Sequence, residues 1–150
     1  MVYYYPIFLD LRSKPVLVIG GGKVALRKVK GLLEAQARVT VISPKVHDDL
    51  RALPIKIMER EYQAGDLQGN ALVFATTDNR AVNAQIAQDA AFLGIPSNIA
   101  DAPGECGFLV PARLAEGGVQ IAVSTGGTNP RRAVAIRNRI KEMLGPLAQV

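Results

Sequence analysis

Cysteine, histidine and aromatic residues are scarce in this chain. Of its 150 residues one is Cys (Cys106), one is His (His47), none is Trp, and aromatic residues make up 5%. A lone thiol closes no intramolecular disulfide, so nothing calls for an oxidising compartment and a cytoplasmic location is expected. One Cys and one His fall short of the ligand set of a structural zinc site, and no metal centre is expected. No apolar run approaches the ~20 residues that span a bilayer, and Met1 to Asp10 has no basic stretch ahead of an apolar one. Neither a membrane segment nor a targeting segment is therefore expected. Acidic residues are the minority, 13 against 18 Lys and Arg. The imbalance gathers at one end: between Gly117 and Val150, Arg131, Arg132, Arg137, Arg139 and Lys141 stand against Glu142 alone. Such a segment binds polyanions or solvates a helix face. With no aromatic platform or helix-turn-helix pattern beside it, nucleic acid is not an expected partner.

Apolar residues, by contrast, are plentiful at 49%, enough for a chain of this length to build one core and too many for intrinsic disorder. Val16 to Ile19 is an uninterrupted, β-branched-rich run, the pattern of a parallel strand buried on both faces. Gly20-Gly21-Gly22 follows, and then Ala25, Leu26, Val29, Leu32 and Leu33 recur at helical spacing among Arg27, Lys28 and Lys30. Val39 to Ile42 completes a strand, helix, strand unit. A short helical turn near His47 to Leu53 and strands at Ile55 to Met58, Ala71 to Ala75 and Ile95 to Ile99 continue the alternation. Asp78 or Asn79 caps a helix that carries Val82, Ile86, Ala90 and Leu93 and ends at Gly94. The fold class expected is α/β, with a mostly parallel sheet and right-handed crossovers. Composition changes near Glu116-Gly117-Gly118. There a strand at Val119 to Val123 leads through Thr125 to Pro130 into a basic helix, with Asn129 as its cap. The expected division is a dinucleotide-binding domain over 1–116 and a small segment over 117–150.

Gly20-Gly21-Gly22-Lys23-Val24-Ala25 fits G-x-G-x-x-G/A at the turn from first strand to first helix, the Rossmann-like arrangement. A side chain at Gly20 would obstruct the turn, and one at Gly22 would hold the backbone away from a pyrophosphate. The small Ala25 allows close helix-on-strand packing, and the helix start offers N–H groups and the positive dipole end to phosphates. The acid that usually follows the second strand is absent. Ser43-Pro44-Lys45 stands there, where Ser43 could bond a ribose hydroxyl and Lys45 could attract a 2′-phosphate, so these residues leave NAD and NADP both open.

Several ordered segments together resemble the precorrin-2 dehydrogenase and sirohydrochlorin ferrochelatase family, the N-terminal module of siroheme synthases. They are Tyr5 to Leu11, Val18 to Lys28, Ala75-Thr76-Thr77-Asp78 with Val82-Asn83, Asn98 to Pro103, Cys106-Gly107-Phe108, Pro111-Ala112, and Ala122 to Pro130. The resemblance spans residues 3 to 144. It implies NAD as cofactor and oxidation of precorrin-2 to sirohydrochlorin, with ferrous-ion insertion in some members. It also implies that Lys23, Val24, Pro44 and Lys45 fall at cofactor-contacting positions and that Asp101, in an Asn-x-x-Asp motif, is the catalytic acid; Thr76 is expected to bind the cofactor as well. A carboxylate there could take the proton released on dehydrogenation or steady the charge that develops. Two positions depart from the family pattern: Ala102 stands where many relatives carry a second acid, and Gly107 where they carry a serine.

Precorrin-2 carries many acetate and propionate groups, and Gly126, Gly127, Arg131 and Arg132 are expected to hold them at a helix start. The 117–150 segment is too small to bury its own strand and helix, so it is expected to be a dimerisation surface. The hydroxyls of Tyr3-Tyr4-Tyr5 are expected to face outward from rings packed against the sheet. His47 reads as a solvated polar residue and Cys106 as a small packing residue. A second class stays open, a noncatalytic dinucleotide-sensing module that regulates a partner through the same glycine turn.

Overall fold

The structure, a computed structural model, describes residues 3–144. They form two compact units.

The larger runs from Phe8 to Phe108. Its strands are β1 (Pro15–Ile19), β2 (Arg38–Ile42), β3 (Lys56–Met58), β4 (Leu72–Ala75) and β5 (Ser97–Ile99), interleaved with α1 (Lys23–Glu34), α2 (Asp48–Arg51) and α3 (Arg80–Leu93). The sheet order is β3-β2-β1-β4-β5 and every pairing is parallel. Along β1 the side chains alternate between two cores. Val16 and Val18 join Ala25, Val29 and Leu32 of α1, while Leu17 and Ile19 join Ile86 and Ala90 of α3. Burial on both faces is why the strand reads as one unbroken apolar run, and each such side chain contributes about 1.5–3 kcal/mol. Phe74 carries the first core outward, meeting Phe108 edge-to-face at 5.4 Å and lying 5.6 Å beneath the Lys28 ammonium.

Caps agree with the chemistry of the sequence. The Asn79 side chain accepts from the N–H groups of Ala81 and Val82, and Gly94 ends α3 in the left-handed conformation. His47 is an N-cap rather than a merely solvated residue: its Nδ1 accepts from Asp49 N at 3.2 Å and starts α2. Between β3 and β4, Arg60 grips both oxygens of Asp66 at 2.8 and 2.6 Å, and Asp66 also accepts from Gln63 N at 2.8 Å.

The smaller unit takes residues 1–7 and 109–150, of which 3–7 and 109–144 are described. Here the single strand expected after the composition change is a hairpin: β6 (Ala112–Glu116) pairs antiparallel with β7 (Val119–Val123). Gly117 and Gly118, with φ of 58° and 78°, make its two-residue turn, a type I′ geometry that requires positive φ at both positions. The helix α4 (Pro130–Leu144) packs on the hairpin, and Arg137 donates to the Arg113 carbonyl at 3.2 Å. Among this unit's described residues only Leu114 and Ala133 are buried. The tyrosine expectation needs correcting: Tyr3 and Tyr5 are each 88% exposed, because residues 3–10 form no strand that could lay their rings on a sheet.

Candidate functional site

In an all-parallel sheet the carboxyl ends share one edge, and ligands bind where the strand order reverses. Here the order reverses between β1 and β4. The registers Ile19↔Ala75 and Ala75↔Ile99 align the ends of β1, β4 and β5, and Ile19↔Ile42 aligns β2. Four loops therefore line one rim: Gly20-Gly21-Gly22, Thr76-Thr77, the turn at Ser43, and the loop bearing Asp101. At about 4.8 Å per strand, β5 lies roughly 10 Å from β1.

The three glycines differ in what surrounds them. Gly20 has φ of 115°, and a Cβ there would lie 2.6 Å from Thr76 Oγ1 and 2.7 Å from the Thr76 backbone; one on Gly21 would lie 2.1 Å from the Lys45 carbonyl oxygen. These two are glycine so that the β4 and β2 loops can close against the turn. A Cβ on Gly22 would meet nothing within 4 Å. That is the open cradle a pyrophosphate needs. Gly22 is also the N-cap of α1, which has no side-chain cap and no acid in its first turn. Its leading N–H groups are left for a ligand, whereas Asn79 occupies those of α3. Ala25 is fully buried, as close packing demands, and Lys23 and Val24 are exposed beside the cradle.

Two hydroxyls flank the turn, and both donate inward. Thr76 Oγ1 donates to the Ile19 carbonyl at 2.9 Å, and Ser43 Oγ donates to the Lys45 carbonyl at 2.7 Å. Both residues are buried, while Pro44 and Lys45 are exposed. Ser43 Oγ also accepts from Lys45 N at 3.4 Å, so its bonds turn back on its own loop.

Asp101 lies two residues beyond β5, in a loop braced from within and from without. Inside, Asn98 Nδ2 donates to the Phe108 carbonyl at 3.1 Å, and Cys106 Sγ accepts from Ile99 N at 3.2 Å. Outside, Arg80 Nη1 donates to Asp101 Oδ1 at 2.8 Å, and Arg80 Nη2 bonds Glu105 Oε2. Sequence reasoning missed Arg80. Its signal was there: a cation at the first position of a helix opposes the dipole and calls for an acidic partner. Among the described residues no three His, Cys, Asp or Glu side chains gather as a metal-binding group.

In the smaller unit, Gly126 and Gly127 have φ of 64° and 79° and lead to α4, with Arg131 and Arg132 exposed on its first turn. Two N–H groups expected to hold carboxylates already have partners: Gly126 N donates to Ser124 Oγ at 3.1 Å, and Arg132 N to Asn129 Oδ1 at 2.9 Å.

Residues 7–112 match the family described as "Putative NAD(P)-binding". The chain belongs to this NAD(P)-binding family. Residues 116–143 match a second family, "Sirohaem biosynthesis protein central". The chain is 44% identical over 140 residues to a siroheme synthase of Ectopseudomonas mendocina and 44% over 142 residues to one of Methylococcus capsulatus. Each alignment covers 92% of this chain and 30% of the relative, so the chain spans about a third of the length of the curated relatives it matches. A solved structure, "SirC, precorrin-2 dehydrogenase", superposes with a TM-score of 0.73 at 28% identity, over 95% of this chain and 70% of that one. The open cradle at Gly22 and the uncapped α1 fit a nicotinamide dinucleotide. Among the described residues no helix is long and apolar enough to cross a membrane.

Proposed function

We propose that the chain is an NAD-dependent precorrin-2 dehydrogenase, oxidising precorrin-2 to sirohydrochlorin on the route to siroheme. The observation that carries this reading is the conjunction, on one sheet edge, of the open cradle at Gly22 with the braced Asp101 loop two strands away. The activity for which the solved relative is named, and the name of the two siroheme synthases, support it.

The reaction takes two hydrogens from the macrocycle, one as hydride and one as a proton. The bound nicotinamide supplies the hydride acceptor. Gly20 lets the β4 loop close under the cofactor turn, Gly22 lets the backbone approach the pyrophosphate, and the N–H groups that open α1 at Lys23 and Val24 hold it. Ser43, Pro44 and Lys45 flank the adenosine, and Thr76 lines the switch point. Asp101 receives the proton or steadies the charge left by hydride removal. We assign the Gly127 N–H and the Arg131 and Arg132 guanidinium groups to the substrate's carboxylates, with Gly126, whose own N–H is held by Ser124 Oγ, shaping the turn that leads to them. We also infer a homodimer through the smaller unit, supported by its thin core and by Val119, Val134 and Met143 exposed on it, and a cytoplasmic location.

A sensing module would need the glycine turn but no braced acid on the same rim, which is why the enzyme reading is preferred. Mixing the full chain with NAD and precorrin-2 tests it. Appearance of NADH and of the sirohydrochlorin spectrum is expected, whereas NAD binding without turnover would leave the sensor. Iron insertion is assayed separately, with sirohydrochlorin and ferrous ion in the absence of NAD.

A further inference from the structure

Arg80 opens α3 at its first position, directly after the Asn79 cap. That start is stiff. Asn79 Oδ1 takes two N–H groups, and the fully buried Asn83 accepts from Thr77 Oγ1 at 2.6 Å and donates to the Thr77 carbonyl at 3.0 Å. From this base the guanidinium reaches the β5 loop and spends one nitrogen on each of two acids, Nη1 on Asp101 and Nη2 on Glu105. Held at both ends of its fork, the guanidinium plane has little freedom to rotate. Asp101 is thereby gripped through Oδ1, and Oδ2 has no partner among the described residues.

As a device for stability this arrangement is weak. The side chains of Arg80, Asp101 and Glu105 are 45%, 38% and 45% exposed, and ion pairs at such exposure contribute little. As a device for orientation it is specific. A carboxylate swings about its Cα–Cβ and Cβ–Cγ bonds unless one oxygen is fixed, and fixing one oxygen presents the other along a single direction. We propose that Arg80 is a positioning residue for the oxidation: it immobilises Oδ1 of Asp101, with Glu105 as the second tether, so that Oδ2 meets the substrate in one geometry. This rests on the reading of Asp101 as the reacting carboxylate.

Arg80→Gln, Arg80→Lys, Asp101→Asn and the Arg80→Gln/Asp101→Asn double variant of the full chain separate the two claims, assayed with NAD and precorrin-2. Arg80→Gln should lower kcat about 10²-fold, the scale of a misplaced reacting group, with an unchanged NAD Kd and thermal midpoint. Arg80→Lys keeps the charge but not the two-pronged grip, and should fall between Arg80→Gln and the parent. The double variant should be no slower than Asp101→Asn alone, because a residue acting through Asp101 has nothing left to position. Free guanidinium ion should restore part of the lost rate to Arg80→Gln. If Arg80→Gln turns over like the parent while Asp101→Asn does not, the positioning role is overturned and the reading of Asp101 stands. The role is also overturned if the two losses multiply in the double variant. If Asp101→Asn itself turns over normally, the reading of Asp101 fails, and the proposal with it.

Discussion

Gly20 and Thr76 approach so closely that a Cβ on the first would lie 2.6 Å from the hydroxyl oxygen of the second. The contact joins the ends of β1 and β4 where the sheet reverses its order, and it gives the neighbouring glycines separable roles. Gly20→Ala adds a clash with backbone to a φ of 115°, and it should cost about 2 kcal/mol or more in thermal or urea denaturation. Gly22 has an extended backbone and open space around it. Gly22→Val should therefore denature like the parent yet lose NAD binding by calorimetry. A folded Gly22→Val protein that binds NAD at parental affinity would move the cofactor elsewhere.

On the proposed reading, which puts the pyrophosphate at the glycine turn, Asp101→Ala should leave NAD affinity within about twofold of the parent while turnover falls about 10²-fold or more. Asp101→Asn preserves shape and removes charge, so an equal loss in both variants identifies the charge as the needed property. Stopped-flow measurement of NADH formation checks both.

The Arg60 guanidinium holds the Asp66 carboxyl below its ordinary value of 3.8. A carboxyl depressed on folding adds stability that is fully present above the unfolded value and is lost as pH falls through the folded one. Asp66→Asn should thus cost about 2 kcal/mol near pH 7. The gap to the parent should close as denaturation is repeated at pH values falling below the unfolded value and on through the depressed folded one. A gap that stays constant over that range would assign the loss to the uncharged cap at Gln63 instead.

Light scattering at micromolar concentration should give twice the 16.0 kDa mass of the chain. Charged replacements of exposed apolar residues in the smaller unit, Val134→Glu with Met143→Glu, should return it to the monomer. A parent that is monomeric at that concentration would remove the dimer from the proposal.

Much of the larger unit was readable from the sequence because its signals are local. A strand buried on both faces is a solid apolar run, Asn79 and Gly94 are cap residues, and the glycine turn is contiguous. β6 escaped because Ala112-Arg113-Leu114-Ala115-Glu116 has one buried side chain and no β-branched residue. The clue was Gly117-Gly118, a two-residue hairpin turn that reads equally well as a change of composition. The resemblance singled out Asp101, but its grip by Arg80 spans 21 residues of sequence, and only the sheet order brings the two together. The inward turn of the Ser43 and Thr76 hydroxyls was likewise invisible, since residue type does not say which way an O–H points.

Described residues on both sides of the larger unit, 3–7 and 109–144, belong to the smaller one, and the larger is one uninterrupted run from Phe8 to Phe108. In genetic terms the larger unit is an insert, entered once and left once. Gly117, where the composition changes, is a poor place to cut, because a break there parts β6 from β7. The junctions at Ile7/Phe8 and Phe108/Leu109 part no paired strands. Exchange between relatives is therefore expected to succeed when those two junctions are used together, carrying the glycine turn and the Asp101 loop as one cassette.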